Sequence, residues 1–300
     1  MTPESSIKKI IASSEAERAE AKAAAEAAFK NQEFIESIER EKTDIDRQII
    51  AIANEATNEV VAHYGGTPWD IPEQNIHLVP EDRWNKLGQT SAGFYMSAAQ
   101  AIAMCSYPQK IVAAAMTFHE MLHFKCYNIL ETRDGKLTNF KTGIQTRTRP
   151  EGELIFRVFN EATVSHLEHQ FVKTLESIEF FKEEAELTRK LVEKSKMLQN
   201  MSGLYYAEEK APGVYVTATD KVYIPERAIQ DALVRKLHER DPAAFPSPED
   251  AFDLFARALF KPQLLELGRT IDQVFGVGTF RHMASLGDDM EALAAYIDSL

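Results

Sequence analysis

The sequence predicts an α+β fold that is mostly helical, and three observations carry that prediction. Residues 4–62 are rich in Ala, Glu and Lys, with apolar residues at helical spacing. A second helical pattern runs from Glu153 to about Asn200, and Pro242, Pro246, Pro248 and Pro262 punctuate three or four helices that follow. Runs with strand character are few and short, which suits a small mixed sheet.

Taken in order, Ser14–Lys22 has few large apolar residues and reads as an exposed helical arm. Phe34, Ile38, Ile45, Ile49, Ile52 and Val60 recur at helical spacing and are expected to dock on the body. Sustained apolar heptads are missing, so a solvated extension is expected rather than a coiled coil. Gly65-Gly66-Thr67-Pro68 ends the helix, and Asn75–Val79 reads as a short strand. Gly93–Ser97, the turn Ala98-Ala99-Gln100 and Ala101–Met104 form a strand, tight turn and strand. A buried helix follows, entered at Pro108 behind Ser106. Asp134-Gly135 and Thr142-Gly143 punctuate an alternating stretch that predicts a β-hairpin. Val214–Thr219 and Lys221–Ile224 predict a second one. The expected organisation is an N-terminal helical arm (1–62), a catalytic core (63–200) and a mainly helical C-terminal subdomain (201–300).

Composition removes several function classes. A net charge of −12 argues against nucleic acid as a partner, because phosphate binding needs a basic face. Two cysteines are too few for a disulfide scaffold. No stretch is long and apolar enough to span a bilayer, and the first residues lack the pattern of a secretory signal. A soluble, cytoplasmic protein is expected.

The stretch that carries chemistry is His119-Glu120-Met121-Leu122-His123. Residues four apart on a helix are separated by about 400° of rotation, so both imidazoles leave one face, one turn apart. Two neutral imidazoles aimed the same way suit Zn²⁺, and a glutamate beside the first can accept a proton from a water on the metal. The apolar run Ile111–Phe118 and Phe124 place this HExxH pattern on a buried helix. A catalytic zinc needs a third protein ligand, and Glu161, His166, Glu168 and His169 are the candidates downstream.

Here the chain resembles the gluzincin clan of zinc peptidases, to which thermolysin belongs. In that clan a second helix supplies a glutamate ligand within an Asn-Glu motif. Asn160-Glu161 matches it, 38 positions after His123. The resemblance covers about residues 75 to 175 and implies a zincin-like catalytic core. It implies a zinc ligand set of His119, His123 and Glu161, with Gly93, Phe94 and Tyr95 on the edge strand that binds peptide. The clan's aspartate one turn after the ligand glutamate is replaced by Ser165, so Ser165 and Glu168 are the expected partners of a ligand histidine. His166 and His169 are turned from that face by roughly 140° and 80°.

The implied activity is zinc-dependent hydrolysis of peptide bonds by a metal-activated water, with Glu120 as general base. A downstream Tyr or His supplies a further donor to the oxyanion in the clan. Tyr205, Tyr206, Tyr215, Tyr223 and His238 are candidates, and Tyr223 is favoured because Pro225 fixes the chain after it. Ala98, Ala99, Ala101 and Ala103 admit either a close peptide backbone or close packing on the active-site helix. The rival expectation is a zincin-fold binding or scaffold protein with little or no turnover.

Overall fold

The computed structural model describes residues 5–31, 38–87, 91–149, 152–219 and 222–300. In chain order the elements begin with β1 (Ile7–Ile11), α1 (Glu15–Lys30), α2 (Asp44–His63), β2 (Ile76–Val79) and α3 (Glu81–Trp84). Next come β3 (Gly93–Met96), β4 (Ala101–Cys105), α4 (Lys110–Lys125), β5 (Asn128–Arg133), β6 (Lys136–Thr142), β7 (Gln145–Arg147) and β8 (Leu154–Ile155). Then α5 (Arg157–Leu175), α6 (Lys182–Lys194), α7 (Lys196–Gln199) and the hairpin β9 (Leu204–Ala211) and β10 (Val214–Thr219) follow. Five helices end the chain: α8 (Ile224–Arg240), α9 (Pro248–Phe260), α10 (Leu264–Phe275), α11 (Thr279–Ser285) and α12 (Met290–Ser299). The fold is α+β and mostly helical, as the sequence predicts.

Two small mixed sheets flank the helices. One has the order β2-β4-β3, with β2 parallel and β3 antiparallel to β4, which leaves β3 at an edge. The other has the order β1-β5-β6-β7-β8, with β1 parallel to β5 and the rest antiparallel. The helix α4 is buried nearly all round, from Ile111 to Lys125, because it lies among α2, α5 and the β2-β4-β3 sheet. Phe118 stacks on Phe171 of α5 with ring centroids 4.2 Å apart, which ties the two helices together.

Several expectations are corrected at the level of elements. The N-terminal residues are not one solvated helix. Ile7–Ile11 is a strand, and Ala21, Ala25 and Phe29 of α1 are buried. Alanines at four-residue spacing make a close-packing stripe that a search for large apolar residues overlooks. Ile49 docks as expected, whereas Ile45 is 51% exposed because it lies in the first turn of α2. Phe34 lies outside the described residues.

The expected hairpin around 134–148 is a three-stranded meander, since Gly135 and Gly143 each turn the chain. The pattern from Glu153 to Asn200 opens with β8 and is then broken between α5, α6 and α7. Val214–Thr219 pairs with the preceding Leu204–Ala211, and Tyr223 and Ile224 belong to the start of α8. Lys221 lies outside the described residues. Ser106 does not cap α4. Its hydroxyl accepts from Arg40 Nε at 2.7 Å, and Gln109 occupies the cap position.

Among the described residues no helix is long and apolar enough to cross a membrane. Both cysteines, Cys105 and Cys126, are free and buried.

Candidate metal centre

Two helices and one turn build the site. The helix α4 carries His119, Glu120 and His123 on its face toward α5, which contributes Asn160, Glu161 and Glu168. The start of α5 is set by Phe156, a non-glycine residue in the left-handed region at φ 62°, which turns the chain from β8 into the helix. Asn160 locks that turn of helix against the meander, because its Oδ1 accepts the Ile144 N–H at 3.0 Å. Gly143 has to be glycine there. Its φ is +60°, and a Cβ would lie 2.5 Å from both Asn160 Oδ1 and Leu259 Cδ1.

The Nε2 atoms of His119 and His123 lie 3.2 Å apart. Glu161 Oε2 is 3.7 Å from the first and 3.4 Å from the second. Ligands about 2.0–2.2 Å from a tetrahedral ion are separated by roughly 3.3–3.6 Å, so this triangle is close to the size that a zinc ion would need. The three side chains each bring a ligand atom to within 4.8 Å of the others, and no His166 or His169 atom joins them. Among the described residues this is the one group of three His, Cys, Asp or Glu side chains arranged to hold a metal ion.

Outer contacts orient the two rings unequally. His119 Nδ1 donates to Glu168 Oε2 at 2.8 Å, which fixes the tautomer and leaves the Nε2 lone pair facing the triangle. His123 lacks such a carboxylate among the described residues: its Nδ1 lies 3.4 Å from Asn160 Nδ2, which can only donate, so this long contact does not hold a proton on Nδ1 as Glu168 does for His119. Ser165 does not touch a histidine. Its hydroxyl donates to Val222 O at 3.3 Å and so anchors the turn before Tyr223. One turn beyond Glu161 the helix face already points at that turn, and the histidine is reached only two turns on, by Glu168.

A cleft of about 240 Å³ opens over the triangle. Gly93, Phe94 and Tyr95 of β3 form one wall, Asn139, Thr142 and Gln145 of the meander another, and Tyr223 also lines it. Gly93 presses on the base: a Cβ there would lie 3.0 Å from Glu120 Cγ and Oε1 and 3.1 Å from Met104 Cγ. Tyr95 turns its hydroxyl away, 2.9 Å from Ser6 Oγ. Tyr223, the left-handed residue at the N-terminus of α8, lays its ring parallel to that of His119, with centroids 5.8 Å apart. Tyr206 donates instead to Glu208, His238 pairs with the Phe245 carbonyl, and neither Tyr205 nor Tyr215 lines this cleft.

In comparisons with protein-family models, curated proteins and solved structures, nothing matches this chain. The chemistry of the site lies in its own side chains.

That chemistry calls for positive charge. Glu120, Glu161 and Glu168 surround two imidazoles, so a divalent cation would offset most of the local excess of carboxylate. Burial raises the Glu161 carboxyl, but His123 and His119 outweigh it and hold the group well below the usual carboxylate range. Burial disfavours a charged His119, yet its bonds to Glu161 and Glu168 raise it well above the ordinary value. Burial pushes the Glu120 carboxyl up, toward the range useful for a proton acceptor. Burial first and then Glu161 raise the Tyr223 phenol, so it stays a hydrogen-bond donor.

Asn139, Thr142 and Gln145 were not legible as cleft residues from sequence. Only the Gly143 turn, which folds the meander back toward α5, puts them there.

Proposed function

We propose that this protein is a zinc-dependent hydrolase of peptide bonds, of gluzincin type, that acts in the cytoplasm. The observation that carries the proposal is the triangle of His119 Nε2, His123 Nε2 and Glu161 Oε2, with edges of 3.2, 3.7 and 3.4 Å and Glu120 beside it on the cleft wall. These three residues would hold a zinc ion, which would supply Lewis acidity toward a carbonyl and acidify a water molecule. Glu120, its carboxyl raised by burial, takes the proton of the attacking water and passes it to the leaving amine. Tyr223 keeps its phenolic hydrogen and donates it to the developing oxyanion. Glu168 keeps His119 in one tautomer throughout. The β3 edge offers main-chain groups to an extended peptide laid beside it. The free buried cysteines suit a reducing compartment.

Metal analysis and peptide digestion test this together. The protein is expected to bind about one zinc per chain. His119→Ala and His123→Ala are expected to abolish tight binding and Glu161→Ala to weaken it strongly, with His166→Ala unchanged. Glu120→Gln is expected to keep zinc and lose turnover of a mixed peptide library by on the order of 10²–10⁴-fold. Full zinc occupancy in the histidine variants, or near-normal turnover in Glu120→Gln, refutes the proposal.

A further inference from the structure

The cleft has, among the described residues, no free charged group to grip either end of a peptide. Among the described residues that line it there is no Lys, Arg or Asp, and its only carboxylates are Glu120 and Glu161. A carboxypeptidase needs a cation for the substrate's terminal carboxylate, and an aminopeptidase needs a spare carboxylate for the terminal ammonium. Both lining glutamates already have work: Glu161 completes the metal triangle and Glu120 faces the reacting bond. The charge of Arg157 reaches Glu161 and Tyr223, but Arg157 does not line the cleft, and its Nε donates to Asp288 at 2.8 Å.

What the cleft does offer is main-chain and neutral polar contact. On one side lies β3, four residues long and, among the described residues, paired only on its β4 side, so the main-chain groups of its other edge have no strand partner. On the meander side, Asn139 and Thr142 bond to each other at 3.0 Å, and Asn160 is held by Ile144. Gln145, first residue of β7, lines the cleft with a carboxamide that has no hydrogen-bond partner among the described residues. A carboxamide carries both donors and an acceptor, which is the complement of a peptide group.

We propose that the cleft takes an internal stretch of polypeptide, held between the β3 edge and the Gln145 carboxamide. Cleavage is then within the chain, as an endopeptidase, and Gln145 is a substrate-contacting residue that sets affinity. This inference rests on the hydrolase reading of the site.

The test uses one eight-residue peptide in four forms: free ends, N-acetylated, C-amidated and blocked at both ends. Binding is measured by calorimetry on the zinc-loaded Glu120→Gln protein, and turnover with product masses on the wild type. The four forms are expected to bind within threefold of one another and to be cut at the same internal bond. Gln145→Ala, made on the Glu120→Gln protein and checked for zinc content and circular dichroism, is expected to weaken binding at least fivefold. A loss of thirtyfold or more on blocking either end overturns the proposal, as does unchanged binding by Gln145→Ala. If the blocked peptide binds equally but wild type cuts no form, the hydrolase reading fails while the docking mode stands. Failure of all four forms to bind removes both.

Discussion

At the scale of single residues, the site depends on side chains that meet no substrate. Glu168 sits two turns beyond Glu161 and accepts the Nδ1–H of His119 at 2.8 Å. Glu168→Gln keeps the shape, but an amide can also donate and so no longer dictates which ring nitrogen is bare. Zinc affinity is expected to fall about 10–100-fold, read by competition with a chelator. Gly93 matters through what it lacks. Because a Cβ there would sit 3.0 Å from Glu120, Gly93→Ala is expected to cut hydrolysis at least tenfold through displacement of the base. Zinc content and thermal unfolding within a few degrees of wild type distinguish this from general damage.

At the scale of elements, α4 is held at both ends by side chains from elsewhere. Its N-cap residue, Gln109, makes no side-chain capping bond. Glu184 of α6 supplies the missing acceptors, with Oε1 taking the Lys110 N–H at 2.9 Å and Oε2 the Ile111 N–H at 3.0 Å. A carboxylate there also meets the positive end of the helix dipole. At the other end, Lys125 Nζ donates to Thr57 Oγ1 at 2.7 Å and Asn58 Oδ1 at 2.8 Å, tying α4 to α2. Glu184→Ala leaves two helix N–H groups without their acceptor and is expected to cost about 1–2 kcal/mol in urea unfolding. Glu184→Gln, which keeps one acceptor, is expected to lose less. Equal stability of both variants and wild type would mean that the cap carries no weight.

At the scale of the molecule, one apolar core runs from Phe29 through Phe118, Phe159 and Phe255 to Ile297, so the N-terminal and C-terminal helices share it with the site. Polar contacts add to this: Gln100 Oε1 accepts from Ser5 Oγ, Ser6 Oγ and Ser6 N–H, which fastens the N-terminal segment to the β3–β4 turn. The pH dependence of global stability should carry the signature of Lys141, a buried lysine whose pKa burial lowers to about 8. Between about 8 and its ordinary value the unfolded chain binds more protons than the fold, so this residue makes stability rise with pH there. Below about 8 its full cost is present. Lys141→Met removes that cost and is expected to stabilise the protein at pH 7 by on the order of 3 kcal/mol at most, the gain shrinking to nothing by about pH 10.5. Denaturant unfolding of both proteins at the two pH values checks it. Burial also raises the Tyr64 phenol to about 12, which lowers stability above pH 10, but that effect is common to both proteins and cancels in the comparison.

The sequence by itself determined the local features. Spacing alone put His119 and His123 on one helical face with Glu120 beside the first, and turn residues bounded β3, β4 and the meander. These follow from backbone periods of a few residues, which a sequence carries explicitly. It could not supply what depends on two distant segments meeting. Resemblance points to Glu161, but its approach to within 3.4 Å of His123 Nε2 is a property of how α5 crosses α4, supported by the Phe118–Phe171 stack and the Ile144–Asn160 hydrogen bond. Likewise, Ser165 and Glu168 share a face of α5, and only the position of the Tyr223 turn sent the serine to Val222 and the glutamate to His119. The strand at Ile7–Ile11 was hidden for the same reason. Its partner β5 lies more than a hundred residues away, and pairing with it, rather than local propensity, makes those residues extended.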